Sequence, residues 1–238
     1  LEERYPEFPG LNLTFELREA FVRHSGRPDA PAAAEFRDAG GPLVEAQVVD
    51  AVDSIAYDTH DVDDALGLGL ITQVDLHEVE FWARAAAAVR AAHPTLSGNP
   101  FRTAVVRELL ARQVTDLLGE TSRRLADCGI ASVDDVRAAT FPLVGLGADM
   151  ERIKGELEAF LRERVYRHHR VLRMTASGKR VLRALFAEYV SAPELLPDKH
   201  LRRWAGSNRV VGPPAGPLLP GGRWSRTSNG SSVIISPA

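Results

Sequence analysis

Asp53, Tyr57 and Asp61 stand four residues apart in the run DSIAYDTHD. On a helix that interval stacks them: with about 1.5 Å of rise per residue and 3.6 residues per turn, each step climbs roughly 6 Å and drifts roughly 40° around the axis. A carboxylate, a phenol and a second carboxylate therefore form one column. The same segment carries Val44, Val48, Ala51, Val52, Ile55, Val62 and Leu66, an apolar stripe that anchors the helix in a core and turns the column toward an interior cleft. A carboxylate in such a place needs a partner. On residue statistics alone a solvated face is the commoner home for Asp and Tyr on a helix, so at this level the solvated reading prevails over the cleft. His60 lies one residue off the column, where helix packing is the ordinary role for a lone His.

Other helices must hold that column. A first helix is predicted from Asn12 or Thr14, either of which can cap it, to about His24, with a stop at Ser25-Gly26-Arg27-Pro28. Pro, Ala and Gly make residues 27–42 a loop, and the column helix over 43–66 ends in Gly67-Leu68-Gly69. Apolar recurrence predicts further helices over 76–92, 101–126, 149–174 and 177–191. Ser132 and Asp135 imitate a capping box for a short helix between them. No segment before the tail alternates with period two, so the predicted class is all-α. Residues 205–238 contain neither Asp nor Glu and are rich in Gly, Pro and Ser, the composition of a disordered tail.

A chain of 238 residues with 45% apolar and 26% charged side chains has the composition of a soluble globular protein. Its net charge of −3 gives no whole-protein reason to expect nucleic acid or an anionic membrane as partner. Cys128 stands alone, which excludes an internal disulfide and a cysteine zinc site and fits a reducing cytoplasm. No apolar run approaches a membrane span. The expectation is thus a cytoplasmic protein without a membrane partner. Locally the charge differs: Arg162, Arg164, Arg167, Arg170, Arg173, Lys179, Arg180 and Arg183 face a single acid, Glu163, within residues 162–183. That ridge has the charge to meet a triphosphate, an effector nucleotide or a single-stranded nucleic acid. A solvated helix face accounts for most of these residues better, and 7% aromatic content weighs against a base-stacking platform.

The string Asp-x-x-x-Tyr-x-x-His-Asp-x-x-Asp from Asp53 to Asp64, followed by Gly69-Leu70-Ile71, resembles the last metal-ligand helix of the deoxyguanosine triphosphate triphosphohydrolase-like branch of the HD (histidine-aspartate) phosphohydrolases. RYPEFPGLNLTFELREAFVRHSG at the start, SVDDVRAA with PLVGL in the middle, and FLRERVYRHHRVLRM with ELLP later agree with that family in the same order, over residues 1–197. The resemblance implies the C-terminal portion of an HD-domain-like helical bundle. Residues 1–75 would complete the catalytic domain, 76–204 would form a helical C-terminal domain, and 205–238 an irregular tail. Family members usually continue with another helical segment there, so a shifted reading frame or a divergent terminus is expected.

The same resemblance implies a chemistry: metal-dependent hydrolysis of deoxynucleoside triphosphates to deoxynucleoside and triphosphate. Asp53 matches the family's final metal carboxylate, for a divalent ion such as Mg or Mn. Tyr57 matches the position that packs on the deoxyribose and rejects a ribonucleotide, and Asp61 the one that accepts a hydrogen bond from the 3'-hydroxyl. Tyr166 and His168 match a Tyr-x-His element of the nucleotide pocket. Residues two apart on a regular helix point in nearly opposite directions, so Tyr166 takes precedence, and a partly exposed face suits His168 and His169 as well. The family's upstream His, its His-Asp pair and its catalytic His and acid have no counterpart before Asp53, since His24 is followed by Ser25. One carboxylate cannot hold a catalytic metal. The chain, which begins with Leu1, is therefore expected to be a fragment, inactive alone, with its metal incompletely liganded. A homo-oligomer is expected, because rings are common in the family. The competing expectation is a catalytically inactive nucleotide-sensing or oligomerising helical module, with or without single-stranded nucleic-acid binding.

Overall fold

The structure, a computed structural model, describes residues 11–26, 31–198, 200–201, 223–226 and 232–235. Its elements are those of an all-α chain: α1 (Phe15–His24), α2 (Val44–Gly67), α3 (Glu80–Ala92), α4 (Gly98–Asp127), α5 (Val133–Ala138), α6 (Ala148–Leu161) and α7 (His169–Ser191). A two-stranded antiparallel hairpin, β1 (Arg223–Arg226) with β2 (Ser232–Ile235), lies in the tail. The remainder of the tail, expected to be disordered, falls outside the described residues. The chain divides into two units, Leu1–His168 and His169–Ala238. In the second, α7 has no buried residue and exposes Leu182, Leu185 and Phe186.

Local chemistry sets most helix ends. Thr14, not Asn12, caps α1: its side chain accepts from the Leu17 N–H at 3.3 Å. The Ser132–Asp135 capping box is present at α5. α4 starts three residues before the predicted 101 because Pro100 lies in its first turn, where a missing N–H costs nothing. The largest departure is the predicted helix over 149–174. α6 ends at Leu161, continues as a π-helical turn over Arg162–Tyr166, and breaks at Arg167 and His168, while α7 runs unbroken through the predicted gap at 175–176. Thr175, Ser177 and Gly178 each weaken a helix by at most about 1 kcal/mol. Ile153, Leu157, Leu161 and Val165, four apart and all buried, hold α6 and the turn in the core.

That core is shared by four helices. Val62 and Ala65 from α2, Phe81 and Trp82 from α3, Val105 and Leu109 from α4, and the α6 row are buried together. A smaller cluster joins Ile55 to Leu117, Val144 and Leu146. The predicted stripe on α2 is only half buried. Val48 and Val52 are exposed, and the buried face is Ile55, Asp58, Thr59, Val62 and Ala65, because α4 and α6 pack against the helix on the side one residue beyond the column.

α1 is tied in by a buried acid. Glu19, 2% exposed, is 2.7 Å from Arg23 Nε and 2.8 Å from Arg137 Nη2 of α5. The same two guanidiniums donate to the carbonyls of Gly40, at 2.7 Å, and Gly41, at 2.9 Å. Gly40 has φ +77°, and a Cβ there would come within 2.6 Å of the Arg137 carbonyl oxygen, so the turn needs glycine. Burial alone would push the Glu19 carboxyl up, but Arg137 and Arg23 outweigh it and hold it below 4.5. A depressed carboxylate stabilises the fold above the unfolded value and loses that contribution as pH falls through the folded value. Glu19→Gln is expected to cost about 2 kcal/mol near neutral pH. Thermal melts should show the gap to the wild type closing in acid, below 4.5; a gap independent of pH would contradict this role for the charge.

Candidate functional site

Three of the five predicted site residues meet. The Tyr166 hydroxyl donates to Asp61 Oδ2, and the Tyr57 and Tyr166 rings lie 6.4 Å apart, centroid to centroid, tilted by 53°. α2 supplies Tyr57 and Asp61; the π turn supplies Tyr166. Such wide turns shift the phase of everything that follows them, and this one brings a phenol to a neighbouring helix while Val165 stays in the core. Burial first, then the Asp61 carboxylate, pushes the Tyr166 phenol well above its ordinary value, so it remains a proton donor across the physiological range. An ionised carboxylate has about four acceptor sites. With Oδ2 engaged by Tyr166, Asp61 keeps capacity for a second donor.

The column is more open than its apolar flank suggests. Asp61 is half-buried, but Asp53 is exposed and Tyr57 is 59% exposed. Among the described residues no interior cleft of the kind predicted encloses the lower half of the column, since the buried face of α2 lies to one side of it. His60 is exposed. His168 is half-buried beyond the π turn, outside regular helix, so the opposite-facing argument for residues two apart does not apply to it. Arg164 of the basic ridge is 3.0 Å from Asp75 Oδ1, an ion pair inside its own unit.

Below Asp53, His24 Nδ1 is 2.6 Å from Asp50 Oδ1. The hydrogen bond and charge of Asp50, with a weaker pull from Asp53, raise the His24 imidazole above 6.5. Leu17, Ala20, Phe21, Leu43 and Val49 line an apolar groove of about 620 Å³ between α1 and α2, in whose wall His24 and Asp50 also stand. Among the described residues no three His, Cys, Asp or Glu side chains gather as a metal-ligand group. Asp53 stands in no such group, and the described residues do not by themselves fit a divalent-ion site.

One participant was missed at the level of sequence. Behind the column Lys154 of α6 reaches Ser54 Oγ at 2.9 Å and Asp58 Oδ2 at 2.6 Å, and also pairs with Glu158. Burial pushes the Asp58 carboxyl up against the pull of Lys154. Burial would lower the Lys154 ammonium, but Asp58 and Glu158 outweigh it and hold it above its ordinary value. The four-residue spacings of Ser54 with Asp58 and Lys154 with Glu158 are visible in the sequence; that the two pairs face each other is not.

Residues 144–212 match the family described as Phosphohydrolase-associated domain. The chain is similar to the Deoxyguanosinetriphosphate triphosphohydrolase-like protein of Thiobacillus denitrificans, 41% identical over 207 residues, covering 85% of this chain and 55% of that protein. The proteins of the same name from Bordetella pertussis, 40% identical over 206 residues, and Geobacter sulfurreducens, 38% over 215, are alike: 85% and 89% of this chain, 53% and 56% of theirs. The resemblance read from the column helix and its flanks holds over most of the chain, which spans about half the length of the curated relatives it matches. Among the described residues no helix is long and apolar enough to cross a membrane.

Proposed function

We propose that this relative of the deoxyguanosine triphosphate triphosphohydrolase-like proteins is the sugar-binding part of a metal-dependent phosphohydrolase that cleaves deoxynucleoside triphosphates to deoxynucleoside and triphosphate. The observation that carries the reading is the convergence of Tyr57, Asp61 and Tyr166 from two helices. In it Asp61, oriented by the Tyr166 hydroxyl, accepts the 3'-hydroxyl of the sugar. Tyr57 packs on the ring, where a 2'-hydroxyl would find neither room nor partner. His168, just past the turn, completes the pocket on the base or phosphate side.

Asp53 would give one oxygen to the divalent ion, a Mg or Mn, and the other donors would come from sequence outside these 238 residues. Such an ion, when bound, activates water at neutral pH. The helices here bind and orient; positioning of this kind carries much of phosphoryl transfer. The proposed setting is the cytoplasmic nucleotide pool, with the full-length parent as a homo-oligomer.

Two measurements test the reading. Calorimetric titration of this chain with manganese should find no submicromolar site, because among the described residues no three ligand side chains gather around Asp53. Chromatography of products from the full-length parent, given each of the four deoxynucleoside triphosphates, should show intact tripolyphosphate. Stepwise phosphate release would overturn the proposed reaction, and nucleotide binding without turnover would favour the sensing module instead.

A further inference from the structure

The Tyr166–Asp61 contact joins two helices, and something must fix their phase. Lys154 lies twelve residues before Tyr166 in the sequence, about 18 Å along an α-helix. Its side chain is 9% exposed and that of Asp58 is 7% exposed. Ser54, its acceptor on α2, and Asp58, its ion-pair partner there, each follow a column residue by one position, so they sit roughly 100° around the helix from Asp53 and Tyr57. Lys154, Glu158 and Tyr166 in turn follow the four-residue beat of α6 and its π turn, alongside the buried row Ile153, Leu157, Leu161 and Val165.

We infer that Lys154 is a positioning residue, a latch that sets the rotation of α2 against α6 and thereby places the Tyr166 hydroxyl on Asp61. The apolar row cannot do this alone, because burial of hydrocarbon is non-directional and tolerates small rotations or slips. A buried ammonium does not tolerate them. It donates to Ser54 and Glu158 and pairs with the charge of Asp58 at 2.6 Å, and a slip of one residue would leave a desolvated charge uncompensated. The latch lies to one side of the column, about 100° around α2 from Asp53 and Tyr57. Its value for nucleotide binding rests on the sugar-binding reading above; its effect on the tyrosine does not.

Fluorine NMR of the intact chain labelled with 3-fluorotyrosine reads the effect directly. Of the four tyrosines, Tyr166 is assigned by the resonance lost in Tyr166→Phe, and its displacement in Asp61→Ala, which removes the acceptor, marks the position of the undocked phenol. The paired variant Asp58→Leu with Lys154→Met removes the latch while keeping the site filled, an exchange that commonly preserves stability. It should move the Tyr166 resonance at least half of the way to the Asp61→Ala position while unfolding stays cooperative. A resonance that stays at its wild-type position in a folded paired variant would overturn the proposal. If that variant fails to fold, Asp58→Asn, which leaves Lys154 its Glu158 partner, should give a displacement in the same direction; an unmoved Tyr166 there overturns it equally. No nucleotide enters the measurement, so the latch can fail while the sugar-binding reading stands, and the reverse.

Discussion

In the longer enzyme proposed above, Asp61→Ala is expected to lower kcat/KM on a deoxynucleoside triphosphate about 100-fold, against about 5-fold for Tyr166→Phe. The difference follows from what each change leaves behind. Losing Asp61 removes the charged acceptor proposed for the 3'-hydroxyl and also strands the half-buried Tyr166 hydroxyl that now donates to it. A hydrogen bond to a charged group contributes about 1.5–3 kcal/mol, and an orphaned polar group adds to the loss. Losing the Tyr166 hydroxyl leaves the carboxylate in place and frees one of its oxygens for water. Steady-state kinetics with a deoxynucleotide and its 3'-deoxy analogue check the assignment. The wild type should discriminate against the analogue, and Asp61→Ala should not. If the variant keeps full discrimination, the 3'-hydroxyl is held elsewhere and Asp61 is only a brace for Tyr166.

The column was legible because it is local: a helix fixes the relation of residues four apart whatever surrounds it, and Asp53, Tyr57 and Asp61 all lie on α2. The all-α class, the Thr14 end of α1 and the Ser132–Asp135 box were legible for the same reason. Tyr166 was legible only through family resemblance, because its approach to Asp61 depends on a π turn, and no residue type in Arg162–Tyr166 announces a fifth residue in a turn. The apolar stripe on α2 misled for a related reason. Hydrophobic spacing marks a face that prefers burial, but which part of it is buried depends on where α6 and α4 arrive. They cover Ile55 and Val62 and leave Val48 and Val52 open. Lys154 was illegible altogether: a lysine four residues before a glutamate reads as a surface pair, and only the packing of α6 on α2 turns it inward.

That inward lysine gives the largest stability effect expected in the chain. Lys154→Met should cost about 3–5 kcal/mol, because removing one partner of a buried pair leaves the other charged and desolvated. For a domain of this size that is a fall in Tm of roughly 6–20 °C. Asp58 would be left with Glu158 as an acidic neighbour and no cation, and the paired variant with Asp58→Leu should recover most of the loss. The pH dependence has a definite sign. Burial already raises the Asp58 carboxyl above its ordinary 3.8, and without Lys154 to oppose it the folded-state value rises further. An acid whose folded value is raised binds its proton more tightly in the native state, so stability is regained below the unfolded value and lost as pH rises through the folded one. The gap between Lys154→Met and the wild type should thus narrow in acid and widen toward neutrality in urea unfolding series. A constant gap would mean that the lysine acts through the packing of its hydrocarbon stem, and that Asp58 finds another partner when its cation is gone.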